Sequence, residues 1–221
     1  MVHLSKRLVG GVLALGAAAL GALYVWVIMP WHLRWGATEA ELRRELPGDD
    51  LVPQPRMGYT RAITIDAPAP AVWPWLAQIG QGRGGLYSYD WLENLAGCDL
   101  HSADRIVAEW QLRAGDLVRL GPEGYPYFTV VSAEPGRALV LRAAGVPPDT
   151  SSWSFILDPV DTATTRLIVR SRGDYTPTVL NAFMWRAMVE PLNFMMERKM
   201  LYGIKQRAER HARLGTAATD S

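Results

Sequence analysis

Arg61-Ala62-Ile63-Thr64-Ile65-Asp66-Ala67-Pro68, followed closely by Val72-Trp73-Pro74-Trp75-Leu76, is the stretch on which the fold turns. From Tyr59 to Ile65 the residues alternate. Ile63 and Ile65 fall on one face and Thr60 and Thr64 on the other, as in a half-buried strand. Asp66-Ala67-Pro68 stops that strand. Ala69 to Ile79 then changes period, with Val72, Trp75, Leu76 and Ile79 at helical spacing, and Pro74 sits early in the helix or kinks it.

Downstream, Gly80 to Gly85 reads as a loop and Ser88 to Leu95 as a second short helix, with Ser88 at its N-cap. Five β-rich segments follow: Leu117–Leu120, Tyr127–Ala133, Ala138–Arg142, Ser152–Leu157 and Arg166–Ser171. Turn residues separate them, including Gly121-Pro122, Pro135-Gly136, Pro147-Pro148 and Pro159. Short connections between consecutive strands mean antiparallel pairing. A long helix closes the chain from about Thr178 to Leu214, bent near Pro191 and ended by Gly215, with a disordered tail over 215–221. Strand, two short helices, a run of strands and a long helix make an α+β domain over 57–214.

Upstream, Asp49 to Arg56 is a Pro-rich linker. Thr38-Glu39-Ala40-Glu41 has the form of a capping box opening a short helix that Pro47-Gly48 ends, so 35–56 is helix plus linker. Residues 1–34 read as a membrane anchor. Leu8 to Met29 carries no charge, and 22 residues at ~1.5 Å each give about 33 Å, enough to cross ~30 Å of hydrocarbon. Trp26, Trp31 and Trp35 suit the interfacial belt, and Pro30 marks the exit. A cleavable signal peptide has a shorter apolar core than this run. Basic residues flank both ends, Lys6 and Arg7 against Arg34, Arg43 and Arg44. The short basic leader tips the balance toward an extracytoplasmic domain on a single-pass cell-membrane protein. Gly10, Ala14, Ala18 and Ala22 form a small-residue ladder that offers self-association through the span, or is simply filler.

Charge is nearly balanced, with 23 basic and 22 acidic residues, and gives no long-range attraction for nucleic acid. Cys98 is the only cysteine, so no intrachain disulfide can form. The four histidines are scattered and no metal-ligand spacing occurs, so neither metal nor cofactor is expected. Gly80-x-Gly82-x-x-Gly85 matches a dinucleotide fingerprint only formally, since it follows a helix and opens no βαβ unit.

Several stretches carry a family resemblance. They are the opening Arg61–Pro68 and Val72–Leu76, then Gln81-Gly82-Arg83-Gly84-Gly85-Leu86-Tyr87-Ser88-Tyr89-Asp90-Trp91-Leu92-Glu93-Asn94. His101-Ser102-Ala103-Asp104-Arg105-Ile106, Met196–Leu201 and Gly203-Ile204-Lys205 complete the set. Over about 46–210 the chain resembles the START-like superfamily, also called SRPBCC or polyketide cyclase/dehydrase-like, and within it a membrane-anchored bacterial branch. The resemblance implies a helix-grip fold, a curved antiparallel sheet wrapped around a long C-terminal helix. It also implies a deep cavity for lipids, sterols, polyketides or aromatic molecules. It does not imply one activity.

Candidate residues follow. Met184, Met188, Leu192 and Met195 form a helical stripe expected to wall the cavity, opposite Trp153 and Phe155, with Trp75 and Tyr87 completing it. Arg83, Tyr89, Asp90 and Arg105 are the expected polar mouth. His101 with Asp104 or Glu93 is the one acid/base grouping in reach of catalysis, and a structural network is the alternative reading. The expected function is binding of a lipid or other apolar small molecule by a membrane-tethered domain. The alternative is a cyclase, dehydratase or hydrolase acting on a polyketide-like or aromatic substrate.

Overall fold

The structure is a computed structural model and describes residues 6–144 and 151–219. The chain begins with α1 (Lys6–Leu23), a π-helical turn over Tyr24–Ile28 and α2 (Met29–Leu33), joined end to end. Within it Gly10–Leu33 is 24 residues long and apolar enough to cross a membrane. The helix does not stop at Pro30 as expected. Met29 N–H instead reaches back five residues to the Tyr24 carbonyl. The π turn thus falls immediately before a proline whose nitrogen cannot donate.

α3 (Glu39–Arg43) has the full capping box: Glu41 N–H donates to Thr38 Oγ1 at 3.2 Å, and Thr38 N–H to the Glu41 carboxylate at 2.6 Å. β1 (Met57–Ile65) leads into α4 (Ala69–Leu76), with Pro74 inside it, and then α5 (Asp90–Leu95). α5 begins one residue beyond Tyr89, and Ser88 is not its cap. The Ser88 hydroxyl donates to the Met196 carbonyl at 3.0 Å instead.

The remaining strands are β2 (Leu117–Arg119), β3 (Tyr127–Glu134), β4 (Ala138–Ala144), β5 (Ser151–Pro159) and β6 (Thr165–Gly173). All pair antiparallel in the order β1-β6-β5-β4-β3-β2, so the first strand closes onto the last. A register shift at Val130/Ser132 bends β3. The expected Pro147-Pro148 turn lies outside the described residues.

α6 (Val179–Met184) starts at Thr178, whose hydroxyl accepts from Asn181 N–H at 3.1 Å. A second π turn, Trp185–Val189, precedes α7 (Glu190–Thr219), with Pro191 at the second position. Glu190 N–H reaches Trp185 O, the same device as at Pro30. The interruption therefore comes before Pro191. The helix also continues through Gly215 to Thr219, past the expected stop.

The sheet curls around α4 and α7. Ile63, Ile65, Phe155 and Leu167 face Leu76, Leu201, Ile204 and Ala208, all buried. This is the helix-grip arrangement. On the outer face Arg170 donates to Thr60 Oγ1 at 2.9 Å, to the Glu41 carbonyl at 2.6 Å and to the Asp49 carboxylate at 2.7 Å. The segment before β1 is thereby fastened to the sheet.

Candidate functional site

The site grows from one arginine in an apolar strand. Arg61 lies on the inward face of β1 between Tyr59 and Ile63, and its side chain is fully buried. Nε donates to the His32 carbonyl at 2.9 Å, tying the site to the end of the N-terminal helix. Nη1 donates to Glu197 Oε2 at 2.8 Å and to Asn193 Oδ1 at 2.9 Å, and Nη2 meets Glu190 Oε1. Glu190, Asn193 and Glu197 stand at i, i+3 and i+7 on α7, so one helix face presents all three.

Glu197 is also the acceptor for two aromatic donors. Tyr59 Oη and Trp153 Nε1 each reach its Oε1 at 2.8 Å. The guanidinium lies 3.8 Å from the centre of the Tyr59 ring. One cation therefore faces two carboxylates out of water. Burial, and next the Glu197 charge, push the Tyr59 hydroxyl well above its ordinary value. Burial raises Glu190 as well, with Arg61 pulling the other way. His32 Nδ1 lies 2.7 Å from Glu190 Oε2 but off the hydrogen-bond direction, so neither atom is fully satisfied. A buried charged network of this kind carries a desolvation cost that a purely structural core avoids.

Two adjoining cavities flank the network, and Tyr59, Ser171 and Asn193 line both. The outer one, about 200 Å³, lies between the end of the N-terminal helix (Met29, Leu33) and the π turn (Trp185, Val189). The inner one, about 190 Å³, lies between sheet and α7, against Leu86, Leu120, Phe128, Trp153, Met196 and Met200. Glu93 enters the inner wall from α5. Its Oε2 is buried with no partner, and burial, reinforced by Asp90, raises the carboxyl to about 7.

The expected site residues separate. Trp153 does line the inner cavity, and Glu93 joins it. Phe155 stacks on Trp153 at 4.7 Å but is core. Trp75 is buried against Tyr87, edge to face at 6.0 Å. The Tyr87 hydroxyl accepts from the Gln78 amide nitrogen at 2.9 Å, and burial pushes it to about 12. Neither Trp75 nor Tyr87 touches a cavity beside the network.

Met184, Met188, Leu192 and Met195 do not wall the interior. All four are exposed. The inward face of α7 is instead Asn193, Met196, Glu197, Met200, Leu201 and Ile204, and the stripe as counted lies on the other side. Tyr89 and Asp90 border a separate shallow cleft with Lys199 and Arg207, and Asp90 accepts from Ser102 N–H at 2.7 Å. Arg83 is held by the Trp110 carbonyl at 2.9 Å, and Arg105 is exposed. The four do not converge on one mouth. His101 is also on the surface, 3.2 Å from Asp99, and Asp104 pairs with Arg207 at 2.9 Å. Neither approaches Glu93's cavity, which removes the His101-centred acid/base grouping.

Reading by sequence missed Tyr59, Arg61, Glu190, Asn193 and Glu197. The available signal was an arginine inside an apolar strand and three polar residues at i, i+3, i+7 on an otherwise apolar helix face. Among the described residues no group of acidic, His and Cys side chains is placed to hold a metal.

No family model matches the chain, and no curated protein matches it. Solved structures that resemble it include the Zhui aromatase/cyclase from a Streptomyces strain, 16% identical over 70% of this chain and 94% of that one, with TM-score 0.41. A protein from Mesorhizobium loti is 17% identical over 70% and 98%, with TM-score 0.40. A polyketide cyclase-like protein from Corynebacterium glutamicum is 16% identical over 73% and 93%, with TM-score 0.32. At these identities any likeness is one of fold alone.

Proposed function

We propose that the chain is a membrane-tethered binding protein for a small apolar molecule carrying one polar group. The observation behind this is the pair of cavities meeting at Tyr59 and Asn193, the outer one against the end of a helix long enough to span a bilayer. Apolar walls supply affinity and the buried network supplies a fixed polar anchor. Size narrows the ligand. A dry cavity of about 150 Å³ takes benzene, so the inner space of about 190 Å³ takes one or two rings or a short acyl segment. A longer lipid chain has to occupy both spaces. A tether keeps such a ligand's receptor beside the phase in which the ligand concentrates, and the short basic leader favours the extracytoplasmic side for the domain.

The test is titration of the full chain in detergent with a naphthalene-sized fluorescent probe. Leu120→Trp puts an indole into the inner cavity and is expected to weaken binding at least tenfold, about 1.4 kcal/mol, while the melting midpoint holds. Unchanged binding overturns the reading.

One observation favours an acid/base enzyme instead: the unpartnered, buried Glu93 carboxyl, whose raised value suits proton transfer near neutrality. Under that reading Glu93 is the acid or base, and the substrate is an aromatic or polyketide-like ketone.

A further inference from the structure

The segment Val179–Val189 is out of place on a water-soluble surface. Of its eleven residues only Asn181 and Arg186 are polar, and none is acidic. Leu180 is 68%, Phe183 61% and Met188 56% exposed, and Met184, Leu192 and Met195 extend the face into α7. A helix apolar over most of its circumference is normally buried in protein or in lipid. A contiguous exposed face of this kind marks a surface that something covers.

The neighbour of this segment says what covers it. Tyr24 Oη donates to the Arg186 carbonyl, His32 lies against Glu190, and the Trp31 and Phe194 rings meet edge to face at 5.3 Å. Partners rise together along both helices, 24 with 186 and 32 with 190 and 194, so the two run side by side in the same direction. Tyr24 lies nine residues before the end of the span at Leu33, about 14 Å along it. Trp26 and Trp31, 80% and 52% exposed, occupy the stretch between and suit the headgroup boundary. The apolar face thus lies beside the part of the span that precedes this boundary.

We infer that Val179–Val189 and the first turns of α7 form a second membrane element, inserted alongside the last turns of the span with the Phe183–Met188 face in the acyl region. This rests on the tethering reading above. Arg186 snorkels to the headgroups, and anionic lipid favours it. Because Trp185, Arg186 and Val189 line the outer cavity with Met29 and Leu33, this seating sets that cavity's wall in the lipid. A ligand then reaches the network laterally, without crossing water.

The test uses the full chain in phosphatidylcholine–phosphatidylglycerol vesicles, with Cys98 replaced by Ala and single nitroxides at Leu20→Cys, Phe183→Cys, Met188→Cys or Val160→Cys. Val160 lies at the opposite end of the strands and is the water reference. The labels at 183 and 188 are expected to be at least about fivefold more accessible to oxygen, relative to a water-soluble nickel chelate, than the label at 160. If the label at 20 is lipid-like while those at 183 and 188 match 160, the second element is wrong and the tether stands. If the label at 20 is itself water-like, the tether fails and takes the second element with it. Shielding of 183 and 188 from both relaxants means that protein covers the face, and that also overturns the inference.

Discussion

Arg61 shows how one side chain organises the inner end of the domain. It is buried in an apolar strand and makes four polar contacts, to His32, Asn193, Glu197 and Glu190. Only long-range pairing explains those partners, so strand periodicity read from sequence could mark the face and not the network. Glu93 is the complementary case, a carboxyl with a buried oxygen and no partner. Its raised value, about 7 against an ordinary 4.5, has a sign that can be worked through. The folded state holds the proton more tightly than the unfolded state. Stability is therefore full below about pH 4.5, falls as pH rises to about 7, and levels off above. At roughly 1.4 kcal/mol per pH unit the loss is about 3 kcal/mol at most. Glu93→Gln is expected to flatten this slope and to unfold later than wild type at pH 8. Denaturant unfolding of both proteins from pH 4 to 8 checks it, and parallel slopes contradict it. The sequence drew Glu93 into a grouping with His101 because the two are near in the chain, but the fold points them apart.

At the scale of elements, element type and the antiparallel pairing of consecutive strands were legible because periodicity and turn residues are local, whereas the closure of β1 onto β6 was not. Helix facing was not. The stripe Met184, Met188, Leu192, Met195 follows the steps of an unbroken α-helix, and its apolar character points inward. Two physical facts defeat that inference. The π turn at Trp185–Val189 adds a residue to one turn and shifts the register of everything before it. Apolar residues also face lipid as readily as core, so composition alone cannot choose between them. Both π turns precede a proline, and in retrospect Met29-Pro30 and Glu190-Pro191 were the visible marks.

α7 carries a further element-scale constraint at Gly203, where a Cβ would lie 2.4 Å from the Tyr87 carbonyl oxygen. Tyr87 is itself held at a left-handed φ of 56°. Alanine at a helical glycine ordinarily adds up to about 1 kcal/mol. Here the overlap is with backbone that cannot swing aside, and overpacking of that kind costs about 1–3 kcal/mol. Gly203→Ala is therefore expected to lower the melting midpoint. A midpoint at or above wild type contradicts the close packing of α7 on that loop.

For the whole molecule, the domain grips α7 while the end of the N-terminal helix closes one end of the same sheet. His32 of that helix is buried and its carbonyl receives Arg61, so helix and domain share a hydrogen-bonded joint. That joint, the two cavities beside it and the apolar helix alongside all lie at one end of the sheet. The helix-grip architecture and a long apolar N-terminal helix were readable from patterning and resemblance. Their meeting at a buried charged network was not, because it depends on residues 29 to 136 positions apart in the chain.

The central claim is a small apolar molecule held at that joint. Native mass spectrometry of the full chain, released from nanodiscs made with its host membrane lipids, tests it most directly. The account predicts a bound apolar species in wild type that Leu120→Trp displaces with the fold intact. An unliganded spectrum in wild type, or the same bound mass in both proteins, would contradict it.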